Sequence, residues 1–313
     1  MRFAVLADIH GNLVAMEAVV HDARQHGVDG FWVLGDSVIG PAQNAVLHLL
    51  RSLPGCIIRG NSENYLLDYD ARREDDRPQS KQWSPVSWAY YNLDPELLAF
   101  IATLPEQRVV SPAGASPVRL VHGSPRHVSE PVFPNHNPER MQRFEEGGFL
   151  IDGRRPVVLD DVLSGIGEKV LACGHSHIPW LERQNGRLVF CAGSVGSPLD
   201  GDTRAQYALL TWDGQRWQVE LEAVPYDLER VRESFEEGDF LEATGAWGRA
   251  LWLRVITGQN TAYYLVIHAR RLAAKAGLGD CMVVPDAIWD RAVATLDWEL
   301  AASGKPLFGL CPE

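Results

Sequence analysis

Short apolar runs separated by stretches of helical spacing dominate the first part of the chain. Residues 3–7 are a continuous apolar run of strand length, and a polar loop over 8–12 follows. Leu13, Met16, Val19, Val20 and Ala23 then recur at intervals of three and four, which predicts a helix over 13–26. The pattern repeats as a strand over 31–34, an exit at Gly35-Asp36, a helix over 42–53, and a strand over 56–58 that ends in Arg59-Gly60-Asn61-Ser62-Glu63. These runs are apolar at successive positions rather than at alternate ones, so each strand is expected to be covered on both faces. Strands joined by helices in this way predict βαβ units.

Residues 68–82 are dense in charge and read as a solvated loop, and helical spacing returns over 93–104. Further apolar strands are predicted over 118–121, with His122-Gly123-Ser124-Pro125 at its exit, and over 170–173, with Gly174-His175-Ser176-His177 at its exit. The prolines and asparagines of 126–138 predict a loop. From 180 to 224 the pattern changes to short strands with hairpin turns at Asn185-Gly186 and Asp213-Gly214, so this stretch reads as antiparallel. After Pro225 long helical patterns take over, near 227–237, 240–256, 260–277 and 285–302, with Trp247, Trp252 and Trp289 as packing residues. The boundary predicts a domain over 1–226 and a helical extension over 227–313.

Composition narrows the reading. The 313 residues carry 29 basic and 41 acidic side chains, a net charge of −12, which argues against binding bulk nucleic acid or an anionic membrane. The extension holds 9 basic and 13 acidic residues and is no cationic arm. The 5 cysteines are odd in number and widely spaced, which suits reduced core thiols such as Cys173 and Cys191 rather than a disulfide framework. The N-terminal apolar run meets Asp8 too early for a signal peptide, and no run has the roughly 20 apolar residues that span a bilayer. A cytoplasmic protein is expected.

The chemistry sits at the strand exits. Asp8-Ile9-His10, Gly35-Asp36, Gly60-Asn61, His122-Gly123 and Gly174-His175-Ser176-His177 each follow an apolar strand directly. In an open α/β sheet the carboxyl ends of the strands face one crevice, so clusters far apart in sequence can converge there. Two carboxylates, four imidazoles and one amide oxygen suit manganese, iron or zinc better than calcium, and they are too many for a single ion. Two divalent ions sharing one carboxylate would use them all.

Taken in this order, the clusters resemble the signature of the calcineurin-like metallophosphoesterases: Asp-x-His, Gly-Asp, Gly-Asn-His-Asp/Glu, His, and Gly-His-x-His. Val121-His122-Gly123-Ser124-Pro125 and Gly193-Ser194-Val195-Gly196-Ser197-Pro198 look like the bacterial branch of predicted phosphodiesterases or diadenosine-tetraphosphatase-like proteins. The resemblance covers about residues 1–226. It implies an α/β sandwich of two packed sheets flanked by helices and a dinuclear-metal phosphoester hydrolase, with Mn²⁺ as the first choice of metal. By the family pattern, Asp8, His10 and His177 would hold one ion, Asn61, His122 and His175 the other, and Asp36 would bridge them. A metal-bridging hydroxide would attack phosphorus in line. Asp36, Asn61, Ser62 and His122 would then stand closest to the reaction. The implied substrate is a phosphorylated small molecule or nucleotide; a phosphoprotein, or a non-catalytic interaction scaffold of the same fold, is the alternative.

One position departs from the pattern. Ser62 stands where many members have histidine, and a serine hydroxyl is too weak an acid to protonate a leaving oxygen. His127 or His136 could supply a proton, although exposed loop histidines are the plainer reading. Asn12, Asn61, Arg59 and Arg126 are candidates for substrate contact, with helix capping the simpler role for Asn12. Ser194 has no local partners that would make it a nucleophile. The helical extension could cap the site, form a homo-oligomer interface or recruit a partner.

Overall fold

The computed structural model describes residues 1–72, 78–134, 157–279, 281 and 283–307. Among them two five-stranded mixed sheets pack face to face. The first has the order β3-β2-β1-β11-β12, built from β1 (Arg2–Leu6), β2 (Gly30–Val33), β3 (Gly55–Ile57), β11 (Ala205–Trp212) and β12 (Trp217–Val224). Its first three strands are parallel, and β11 joins β1 antiparallel. The second has the order β4-β5-β8-β10-β9, from β4 (Gln107–Val110), β5 (Val118–Val121), β8 (Val170–Cys173), β9 (Trp180–Gln184) and β10 (Arg187–Cys191). Here β5, β8 and β10 run parallel between two antiparallel edges. A short parallel pair, β6 (Val132–Phe133) and β7 (Val157–Val158), lies apart.

Side-chain alternation explains why the strands are apolar throughout. Val5, Ala7, Trp32 and Leu34 of the first sheet meet Val118, Leu120, Val170, Ala172, Leu188 and Phe190 of the second in one buried layer. The intervening Ala4, Leu6, Phe31 and Val33 point the other way. They pack beneath α1 (Leu13–Gln25), α2 (Gln43–Ser52), α3 (Asn61–Ala71), α4 (Ser84–Tyr91) and α5 (Pro95–Thr103). Val121, Leu171, Cys173, Val189 and Cys191 face outward under α6 (Leu159–Leu163). The central parallel strands β2, β5, β8 and β10 are therefore buried on both faces, as their uninterrupted apolar runs predict, whereas the edge strands β4, β9 and β12 are partly exposed.

Several local expectations need correction. Residues 68–71 continue α3 instead of opening a loop, because Leu66 and Tyr69 bury one face of that helix. The strand β4 and the helix α4 were not legible, and β6 falls inside the stretch read as loop. The stretch 180–224 forms two hairpins, with Asn185 and Gly186 both at positive φ in the first turn, yet β10 also pairs parallel to β8. His136 and Cys311 lie outside the described residues.

Beyond β12 the chain is helical: α7 (Leu228–Glu236), α8 (Phe240–Thr244), α9 (Ala246–Thr257), α10 (Thr261–Lys275), α11 (Asp286–Thr295) and α12 (Trp298–Ala302). The pattern over 240–256 is broken between α8 and α9 at Gly245, where φ is +56°. That over 285–302 is broken by extended Leu296, after which Asp297 caps α12 through the Leu300 N–H. These helices have a core of their own, around Leu265, Ala269, Trp289 and Ala292. They also close onto the sandwich: Val14 of α1 packs with Val231, Phe235, Phe240 and Val255, and Lys81 pairs with Asp290. Among the described residues no helix is long and apolar enough to cross a membrane.

Candidate metal centre

The five polar strand exits converge at one end of the sandwich, after β1, β2, β3, β5 and β8. Their turns are tied to one another through the main chain. The N–H groups of Ile9 and His10 donate to the Asp36 carbonyl at 2.8 and 2.9 Å, and that of Gly174 donates to the His122 carbonyl at 2.8 Å. Packing is close enough to demand glycine: a Cβ on Gly60 would lie 2.2 Å from Asp36 Oδ1, and one on Gly174 would lie 2.7 Å from the Ala7 Cβ. The motif glycines thus let neighbouring exits touch.

Convergence also requires unusual backbone. Asp8, His10, Asp36, His175 and His177 all have positive φ, between +47° and +64°. A non-glycine residue held there costs on the order of 1–3 kcal/mol, and such strain concentrates where side chains must be aimed.

Two groups of metal-ligand type result. Asp8, His10 and His177 offer ligand atoms within 4.8 Å of one another, and Asp36, His122 and His175 form a second such group. Asp36 faces both, with Oδ2 3.7 Å from His10 Nε2 and Oδ1 3.4 Å from His122 Nε2. Asn61 places its amide oxygen 3.0 Å from His122 Nε2. The first group borders solvent through His10, whose side chain is 20% exposed, whereas His122 and Asp36 are buried.

Main-chain carbonyls orient the imidazoles. His122 Nδ1 donates to the Leu34 carbonyl at 2.8 Å and His177 Nδ1 to that of Ser197 at 2.6 Å. The carbonyls of Val38 and Ser129 serve His10 and His175. Because a carbonyl can only accept, each contact fixes one ring N–H and leaves the other nitrogen to turn inward, the arrangement typical of metal-bound histidine. His10 and His177 then bring two Nε2 atoms to 3.3 Å.

Protonation agrees. Burial pushes His10 down to about 4 and His175 down to about 3, and it holds His177 well below its ordinary value with help from the Arg254 charge, so these rings are neutral at pH 7. For His122 burial acts in the same direction but is outweighed by the Asp36 and Asp8 carboxylates, which lift it to about 10. Burial raises Asp36 too, yet the neighbouring imidazoles, His122 foremost, keep it well below the carboxylate range. Asp8 is pushed up by burial, and its Oδ1 is a buried oxygen with no hydrogen-bond partner. A divalent cation would replace the proton on His122 and satisfy that oxygen, so the residues present fit a two-ion centre.

Other residues have distinct positions. Asn12 caps α1 through the Ala15 N–H and donates to the Gly196 carbonyl at 3.1 Å while lining the crevice. Ser62 is buried, lines the crevice and donates its main-chain N–H to Asp36 Oδ1 at 2.8 Å. The structure does not bring Arg59 or Arg126 to the crevice. Arg59 turns to Glu106 at 3.5 Å, and Arg126 is bound through two nitrogens to Glu130 at 2.8 and 2.9 Å, so nearby carboxylates hold both away. His127 spends Nδ1 on the Ser129 N–H. Ser194 donates to the Asp8 carbonyl at 2.7 Å and supports that turn.

Two residues escaped the reading of the sequence. Glu63 is buried and accepts from the N–H groups of Asp36, Ser37 and Gly60 at 2.9, 2.7 and 2.7 Å, binding two exits together. A glutamate in the third position of a helix that starts at Asn61 was the available signal. Arg254, on α9, lies against His177; nothing local in the sequence pointed to it.

Comparison with known proteins agrees with this architecture. The chain is 27% identical to a metallophosphoesterase of Sphaerobacter thermophilus of known structure, over 82% of this chain and 99% of that one, with a TM-score of 0.62. A hypothetical protein of Pyrococcus horikoshii shares the fold at 18% identity and a TM-score of 0.59, over 78% of this chain and 95% of that one. An uncharacterized protein of Methanocaldococcus jannaschii is 26% identical over 77% of this chain and 95% of its own length. The model of the calcineurin-like phosphoesterase superfamily domain matches residues 1–215, which contain every strand exit described above. The chain therefore belongs to the calcineurin-like phosphoesterase superfamily, and it is a metallophosphoesterase, a metal-dependent hydrolase of phosphoric esters.

Proposed function

We propose that this hydrolase acts on phosphodiesters or nucleotide-type esters with weakly basic leaving groups, and that Mn²⁺ is its working metal. The observation that carries the reading is Ser62. It stands in the crevice beside Asp36, and among the described residues no histidine outside the ligand groups lines that crevice. An alkoxide leaving group needs a proton from an acid of suitable pKa, and a serine hydroxyl does not supply one. Aryl esters, phosphoanhydrides and activated diesters leave without that help.

Asp8, His10 and His177 would hold one ion, and Asn61, His122 and His175 the other, with Asp36 shared. When bound, such a pair of ions lowers the pKa of water and polarises phosphoryl oxygens. The chain's own part is to aim the donors by strained turns, to keep three imidazoles neutral, and to exclude bulk water from His122 and Asp36. Ser62 can donate a hydrogen bond to the substrate but holds no transferable proton at neutral pH.

The test is a chelator-stripped protein reloaded with Mn²⁺, Fe²⁺ or Zn²⁺ and assayed on bis-(p-nitrophenyl) phosphate, alkyl phosphomonoesters and phosphopeptides. Fastest turnover of the aryl diester, restored best by Mn²⁺, is expected. Equal rates on alkyl monoesters, or turnover that survives metal removal, would overturn the proposal.

A further inference from the structure

A crevice of about 210 Å³ opens beside the metal-ligand groups, and its far side comes from outside the matched family domain. His10, Asp36, Asn61, His175 and His177 form one wall. Tyr65 and Trp83 stand on the sandwich side of the other, facing Trp247, Tyr263 and Arg254 of the C-terminal helices.

Arg254 is the unusual member. Its side chain is more than nine-tenths buried, and Nη2 lies 2.9 Å from His177 Nδ1 and 3.2 Å from Nε2. His177 Nδ1 already donates to the Ser197 carbonyl, so it cannot also accept from the guanidinium. The guanidinium can donate only to Nε2, the ring nitrogen that a metal ion would occupy, so ion binding would leave it without that acceptor. Nε of Arg254 has no hydrogen-bond partner, and no carboxylate pairs with the guanidinium among the described residues. Asp8 and Asp36 attract the guanidinium without hydrogen-bonding it, but bound metal ions would take up those carboxylates and leave a buried cation unbalanced, which is costly. An anionic ligand resolves it. A guanidinium presents its N–H groups as a planar fork that matches two phosphoryl oxygens. Trp247 lines the same crevice with a buried indole N–H that likewise has no acceptor.

We propose that the C-terminal helices supply the substrate-recognition half of the site: Arg254 binds the phosphoryl oxygens, and the wall of Tyr65, Trp83 and Trp247 receives a flat aromatic group carried by the same phosphoester. The inference rests on the phosphoester reading above and names the substrate class within it, an aryl or nucleobase-bearing phosphoester. It also gives the helical extension a role: no residue of the sandwich brings an arginine to this crevice among the described residues.

Phosphonates test it without turnover, because a C–P bond is not hydrolysed here. Phenylphosphonate and methylphosphonate are titrated calorimetrically into the full-length Mn²⁺-loaded protein, its Arg254→Gln variant and its Arg254→Lys variant, with metal content and thermal unfolding measured on each. Phenylphosphonate should bind about tenfold tighter than methylphosphonate. Arg254→Gln should weaken both by about tenfold or more, with metal content and unfolding unchanged, and Arg254→Lys should recover part of the loss. Unchanged affinity in Arg254→Gln would overturn the phosphoryl contact, as would loss of metal from that variant, which would make Arg254 a support for His177. Equal affinity for the two phosphonates would overturn the aromatic wall. Should the wild-type protein bind phosphonates as expected yet hydrolyse no diester, the proposed function would fail while this inference stood.

Discussion

The sandwich and the C-terminal helices reach the same crevice by opposite means. In the sandwich, Asp8, His10, Asp36, His175 and His177 stand on loops held at positive φ and tied together by main-chain hydrogen bonds. In the helical region Arg254 stands within α9, on regular backbone, and its place depends on how the helices dock. The first arrangement stores strain to fix a geometry that ions require. The second costs no strain and fixes little, as suits a group that holds a ligand. The two regions should therefore fail differently when perturbed.

Asp36→Asn is the strongest way to test this. Asp36 faces both ligand groups, and an amide can replace neither its charge nor its shared role. Turnover of bis-(p-nitrophenyl) phosphate with Mn²⁺ should fall by about a hundred- to a thousandfold, the scale on which removing one preorganised electrostatic group acts. Helix content and the unfolding of the C-terminal region should be unaffected. A variant that kept a tenth of the activity would refute the shared role.

Leu265→Ala addresses the other region. Leu265 is fully buried in the helical core and touches no part of the metal centre, so its truncation should cost about 2–5 kcal/mol in urea unfolding. Under native conditions its metal affinity should match that of the wild type. A parallel fall in metal affinity would show that the two regions form one cooperative unit and would remove the contrast.

What could be read from the sequence follows the same division. A strand exit such as Gly35-Asp36 is legible because the apolar run, the glycine forced by close approach and the ligand side chain are contiguous. The helices after 226 were legible as helices, since periodicity is local, but the breaks at Gly245 and Leu296 were not. Arg254 was hidden because an arginine in an amphipathic helix carries no mark of what it will pack against. Conversely, Arg59 and Arg126 looked suitable only because they adjoin motifs in sequence. Their partners, Glu106 and Glu130, decide where they point.

Glu63→Gln would show how far the geometry of the sandwich depends on its supports. The Glu63 carboxylate accepts three main-chain N–H groups, and an amide side chain must turn its NH₂ toward at least one of them. Metal affinity, measured by competition with a chelator, should fall by about 10–100-fold, as for other groups that orient ligands. Unchanged affinity would mean that main-chain bonds alone hold the exits.

The smallest effect belongs to a charge pair remote from the crevice. Arg119 binds Glu168 through two hydrogen bonds, at 2.8 and 3.0 Å, and these hold Glu168 below its ordinary pKa. A depressed carboxylate contributes stability above its unfolded-state pKa, about 4.3, and loses that contribution as pH falls through the folded-state value. Glu168→Gln should therefore cost about 0.2–1 kcal/mol at pH 7, with the difference shrinking as the wild-type carboxylate is protonated. Metal affinity should not change at any pH at which both proteins are folded, because the pair touches no strand exit. Were it to change, the second sheet would transmit strain along β5 and β8 from their starts to the metal ligands at their exits, and the strained turns alone would no longer account for their rigidity.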